Sequence, residues 1–163
     1  MIILGIDPGS RITGYGLVSQ KGSKSTHIDN GGIFAPKTAP LSERIHFIHE
    51  KVAELIELHK PHLLALENIF VAKNVKSAMI LGHARGAIML AADRHQVPIY
   101  EYTPTQVKLA LTGQGRASKE QIQKMTRMLL NLKEICFEDA ADALAVAICH
   151  GQSYKLMERI SLR

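Results

Sequence analysis

The chain has only two cysteines, Cys136 and Cys149, and no C-x-x-C spacing joins them. They read as buried, reduced thiols of a cytosolic protein rather than as a redox or metal-binding pair. None of the eight histidines forms an H-x-x-x-H pair or a Cys/His cluster, so a zinc site is not expected. The opening segment, "MIILGIDPGS", lacks a basic leader and a cleavage site, and no secretory signal is read there. The longest apolar stretch, "SAMILGHARGAIMLAA", carries His83 and Arg85 at its centre, which argues against a membrane span. Low-complexity runs, internal repeats and linkers are also lacking, and a hydrophobic content of 46% excludes a disordered chain.

What remains is a soluble, cytoplasmic protein of 163 residues, long enough to bury most of its apolar surface. The formal charge of +5 modestly favours a polyanionic partner. "IILGID" reads as a buried strand stopped by Pro8-Gly9-Ser10, and "TGYGLVSQ" and "STHIDNGGIFAP" extend it into an antiparallel meander. Leu41, Ile45, Ile48, Val52, Leu55 and Ile56 share one face of a helix that Pro61 ends. "HLLALE" is a buried strand stopping at Glu67, residues 74–95 form a helix, and "VPIYEY" is the fifth strand. Pro104 suits the first turn of a short helix, and Ser118 with Gln121 makes a capping box for the next. The last helix begins near Asp139. This order predicts one α/β domain over residues 1–154, with a mixed five-stranded sheet flanked by helices. The basic tail, 155–163, is expected to fray.

That last helix holds an oddity. In "CFEDAADALAVAICH", Asp139 and Asp142 lie three residues apart and share a face of an otherwise apolar element. At about 4 Å and an effective dielectric near 20, two like charges repel by roughly 4 kcal/mol. Asp139 in a first turn would favour the helix dipole, and Asp7 before Pro8-Gly9 could simply form a turn. Glu67, ending an apolar strand, and Asp142, on a buried helix, are harder to explain structurally. Ligand sites in α/β sheets gather at strand ends, so Asp7 and Glu67 could converge if their strands are neighbours. A cluster of these acids neutralised by Mg²⁺ or Mn²⁺ would relieve the repulsion and imply phosphoryl chemistry.

"GIDPGS" also resembles the phosphate-binding loop of sugar kinases and actin-like ATPases. Those proteins need two such domains around a nucleotide, and 163 residues do not supply both. Taken together, "ILGIDPGSRITGYG", "LALENIFVAKNVKSAMILGHARGA", "PTQVKLALTGQGRASKEQI" and "EDAADALAVAICH" resemble the RuvC family of Holliday junction resolvases, within the ribonuclease H-like fold. The middle block carries the specificity, since the first and last are shared loosely among nuclease families. The resemblance implies that Asp7, Glu67, Asp139 and Asp142 are the catalytic and metal-holding acids. It implies two Mg²⁺ ions per subunit, with Mn²⁺ possible, about 4 Å apart on the scissile phosphate. It further implies a homodimer acting on a four-way DNA junction, symmetric nicks leaving 5′-phosphate and 3′-hydroxyl ends, and work beside the RuvA–RuvB motor.

The same resemblance gives the basic residues addresses. Lys108 and Lys119 match lysines used near the cleaved strand, and Arg116 flanks the same glycine-bearing loop. A cation at the first position of a helix opposes the dipole, so a phosphate bound there would explain Lys119. Phe70 matches an aromatic that stacks on a base at the junction centre, worth about 1–3 kcal/mol. Lys73, Lys76, Arg116 and Arg85 divide evenly between DNA contact and a solvated or dimer-facing role. Gly82 and Gly86 mark the helix expected to meet a second subunit, unless it packs only on its own sheet. Asn68 and His83 depart from the family pattern. A catalytically idle junction-binding module is the competing expectation.

Overall fold

A computed structural model describes residues 1–68, 74–135 and 137–161, with side chains as far as residue 153. Strands β1 (Ile2–Asp7), β2 (Ile12–Lys21) and β3 (Lys24–Phe34) form the expected antiparallel meander. Then follow α1 (Leu41–His59), β4 (Leu63–Glu67), α2 (Val75–Arg94), β5 (Ile99–Tyr102), α3 (Pro104–Thr112), α4 (Lys119–Leu130) and α5 (Glu138–Ser161). The order is the predicted one. α5 runs as far as Ser161.

The strands lie in the order β3-β2-β1-β4-β5, with β1–β4 and β4–β5 parallel. Strands 1 and 4 are therefore neighbours, the condition on which convergence of Asp7 and Glu67 depended. Alternation along each strand then assigns the faces. Leu4, Ile6, Leu64 and Leu66 turn toward α1 and α2, while Ile3, Leu63 and Ala65 turn toward α3, α4 and α5. Asp7 and Glu67 continue the second set, so both carboxylates emerge on the side of α5.

α5 lies against β1 and β2 because its residues are small and the strands present glycines. Ala140, Ala143, Leu144, Ala147 and Ile148 are fully buried in this contact. A side chain at Gly5 would place its Cβ 2.0 Å from the Ala143 carbonyl oxygen. At Gly14, paired with Asp7 across the β1–β2 ladder, a Cβ would sit 2.1 Å from the Asp139 carbonyl oxygen. These two bare positions set how closely the acid-bearing helix approaches the acid-bearing strand.

The neighbouring helices begin as their sequences predict. Thr103 with Gln106 and Ser118 with Gln121 form reciprocal capping boxes, and Pro104 opens α3. Each N-cap is worth about 1 kcal/mol. Gly113 ends α3 at φ 72°, a left-handed conformation that favours glycine. Cys149 is buried as expected, and burial pushes its thiol up to about 11. Cys136 lies outside the described residues. No helix among the described residues is long and apolar enough to cross a membrane.

Candidate active site

The topology brings all four predicted acids into one electrostatic unit. Asp7 and Glu67 end neighbouring parallel strands, and their carboxyls act on each other electrostatically. Burial, followed by the charges of Glu67, Asp142 and Asp139, pushes Asp7 up to about 8. Burial also raises Glu67, with Asp142 adding to the effect and Lys119 and Lys108 opposing it. Asp142 is raised too, again chiefly by burial, while Lys119 holds it back. Repulsion from Asp139 is a smaller contribution to Asp142 than desolvation. The strain on the helix thus comes from taking Asp142 out of water more than from its neighbour on the same face.

A cation reaches this cluster from a distant part of the sequence. Lys119 Nζ lies 3.0 Å from Asp142 Oδ2 and 2.5 Å from Glu138 Oε1. Burial alone would lower the lysine's affinity for its proton, but these two carboxylates raise it above the usual range. The pairing supplies a partner for a lysine that the helix dipole disfavours, so a bound phosphate is not required to account for it. Glu138 was not singled out from sequence. A cavity of about 190 Å³ joins Glu67, Lys108, Lys119 and Asp142 with the apolar Val107 and Ile122. A wider cleft of about 710 Å³ begins at Lys119 and Glu138 and runs past Arg127 and Phe137.

The other predicted residues distribute differently. Arg116 is exposed on the turn between α3 and α4, and Lys76 is exposed in the first turn of α2. Phe70 and Lys73 lie outside the described residues. Asn68 donates its backbone N–H to the Tyr102 carbonyl at 2.7 Å, one rung beyond β4. His83 bonds the Met79 carbonyl through Nδ1 at 2.6 Å. The glycine contacts of α5 and the ion pair of Arg85 with Glu101 were not anticipated. Glycine spacing in "TGYG" was the available signal for the first.

The donor set is all oxygen, which suits a hard divalent cation such as Mg²⁺. The raised proton affinities of Asp7 and Glu67 also mark where positive charge is wanted. Among the described residues, however, no three His, Cys, Asp or Glu side chains stand close enough together to hold a metal ion.

A mixed five-stranded sheet with carboxylates at two adjacent strand ends and on the crossing helix defines a ribonuclease H-like nuclease. The family model described as crossover junction endodeoxyribonuclease RuvC matches residues 3–150, and the chain belongs to that family. It is 49% identical to the crossover junction endodeoxyribonuclease RuvC of Geotalea uraniireducens, across 98% of this chain and 97% of the relative. The Syntrophotalea carbinolica protein of the same description is 51% identical over 99% of this chain and all of its own length (100%). Among solved structures, Thermus thermophilus RuvC in complex with Holliday junction substrate superposes with a TM-score of 0.92 at 35% identity, covering 96% of each chain. A yeast mitochondrial Holliday junction resolvase shares the fold at a TM-score of 0.70 and 15% identity, covering 96% of this chain and 80% of its own.

Proposed function

We propose that this protein resolves four-way DNA junctions by paired, metal-dependent nicks, using Asp7, Glu67, Asp139 and Asp142 to hold the metal. The observation that carries the assignment is the placement of Asp7 and Glu67 at the ends of neighbouring strands, with Glu67 and Asp142 sharing a small cavity edged by Lys108 and Lys119. When bound, two Mg²⁺ ions, or Mn²⁺ in their place, would supply Lewis acidity at the scissile phosphate and ease ionisation of the attacking water. The chain's own residues do the rest. Asp7 and Glu67 would serve as ligands in their ionised form, and packing of α5 on Gly5 and Gly14 keeps Asp139 and Asp142 in place. Lys119 exchanges its carboxylate partners for phosphate oxygens, and Lys108 meets the same strand. The P–O bond to the 3′ oxygen breaks as water's oxygen joins phosphorus, leaving 5′-phosphate and 3′-hydroxyl ends.

Two symmetric nicks call for a twofold partner. On α2, Gly82 and Gly86 have open space where a Cβ would point, and Val75, Met79 and Leu90 are exposed on the same helix. That face supports a homodimer. Phe70 and Lys73 would meet the junction centre, with Arg116 and Lys76 on its phosphates. A cytoplasmic setting beside RuvA–RuvB follows from the family.

The assignment is tested by incubating the protein with a mobile four-way junction and Mg²⁺, alongside Asp7→Asn. Paired nicks that the variant loses while still binding are expected. Binding without cleavage by the wild type, in any divalent metal, would leave only an idle junction-binding module.

A further inference from the structure

Arg85 makes its bonds inside the fold. It rises from α2 with a side chain only 15% exposed. Its Nη1 donates to the backbone carbonyl of Glu67 at 2.6 Å, and its Nη2 pairs with the carboxylate of Glu101 on β5. Glu101 stands in register with Leu66, whose side chain faces α2. The next residue, Glu67, sends its carboxylate through the opposite face toward Asp142. The guanidinium therefore grips the main chain of an acid from behind the sheet, while the acid points into the site.

We infer that Arg85 is a positioning residue that fixes the end of β4 and so aims the Glu67 carboxylate. The inference rests on the reading of Glu67 as a metal-holding acid. β4 ends at Glu67, and among the described residues its last rung is the bond from Asn68 N–H to the Tyr102 carbonyl. A carbonyl at the end of a strand needs a donor. A planar guanidinium can bind that carbonyl and a carboxylate at once in a fixed geometry, and anchoring on Glu101 leaves the fork little freedom. A lysine has one ammonium on a flexible stem and does not reproduce both bonds. Displacement of a site residue by about 1 Å can cost on the order of 100-fold in rate, so a hold of this kind has leverage.

The test compares full-length wild type, Arg85→Leu, Arg85→Lys, Glu101→Gln and Glu67→Gln. Three quantities are read: Mn²⁺ affinity without DNA by electron paramagnetic resonance, hydrogen exchange at the Asn68 amide, and junction affinity in EDTA. Arg85→Leu should weaken Mn²⁺ binding about tenfold and speed Asn68 exchange, with junction affinity within about twofold of wild type. Arg85→Lys should recover part of the loss. Should Arg85→Leu fail to fold, Glu101→Gln, which loosens the fork but keeps the guanidinium, should shift both readouts the same way by less. Unchanged Mn²⁺ affinity and exchange in the folded variants would overturn the inference, as would a loss confined to junction affinity, which would make Arg85 a DNA contact. Glu67→Gln separates the two readings. If it binds Mn²⁺ and cleaves like wild type, the role of Glu67 fails. If it is inactive while Arg85→Leu behaves as wild type, only the role of Arg85 fails.

Discussion

Lys119, the first residue of α4, and Asp142, in the second turn of α5, form an ion pair 3.0 Å long. Asp142 is 23% exposed and Lys119 53%, so the carboxylate is the confined partner and the lysine the mobile one. The pair gives a buried acid a positive neighbour without a metal. It also parks a cation within reach of the site. An ion pair with so exposed a lysine adds little to stability, because water screens it.

Lys119→Ala should therefore leave thermal stability nearly unchanged while weakening junction binding. If the lysine moves onto one phosphate, the slope of log affinity against log salt should fall by about 1. Single-turnover cleavage should slow by at least about tenfold. An unchanged slope and affinity would confine Lys119 to its carboxylate partners.

The raised Asp7 sets a pH dependence of the opposite sign to that of an ordinary salt-bridged acid. Its folded value near 8 lies above the ordinary 3.8, so between those limits the folded chain keeps a proton that the unfolded chain has released. Stability in EDTA should then be fullest below about pH 4 and decline as pH rises toward about 8. Raised values at Glu67 and Asp142 act in the same direction. Thermal melts in EDTA from about pH 5 to pH 8.5 should show Tm falling for wild type and much less for Asp7→Asn. Saturating Mg²⁺ should restore the loss at the alkaline end, since it binds only the folded acids. Parallel curves for the two proteins would remove Asp7 from this account.

Much of this arrangement was legible in the sequence, and the limits are physical. Element order followed from periodicity, prolines and capping boxes, and the site acids stood out because carboxylates rarely interrupt apolar elements. Adjacency of β1 and β4 could only be posed as a condition, since parallel pairing leaves no local signature. The partner of Asp142 was out of reach for the same reason: Lys119 lies 23 residues away and meets it only through packing of α4 on α5. The compensating charge for Asp142 lies across the fold and not along the chain beside it. Arg85 was read as a surface cation because its acceptor, a main-chain carbonyl, has no residue type to betray it.

The face of α2 carrying Gly82 and Gly86 can be tested without touching the acids. Substituting both with Glu would set like charges against one another across a twofold contact. Sedimentation should show a monomer, and the nicks it makes should be unpaired on a circular junction-bearing plasmid. Wild type that sediments as a monomer at micromolar concentration, or a double variant that remains dimeric, would place the partner elsewhere.

Gly14 is the most demanding position in the contact between strand and helix. An added Cβ would lie 2.1 Å from the Asp139 carbonyl oxygen and 2.8 Å from the Asp139 Cβ. Backbone cannot swing aside as a flexible side chain can, so Gly14→Ala must push the start of α5 away from β2. Overpacking of this kind costs about 1–3 kcal/mol, enough to lower Tm by several degrees without abolishing the fold. The displacement falls at Asp139, and Asp7 is the direct ladder partner of Gly14. Cleavage should therefore fall far more than stability, on the order of 100-fold, while junction binding in EDTA persists because the basic residues stay in place. A variant that is less stable yet cleaves at the wild-type rate would show that the acids do not depend on this close approach.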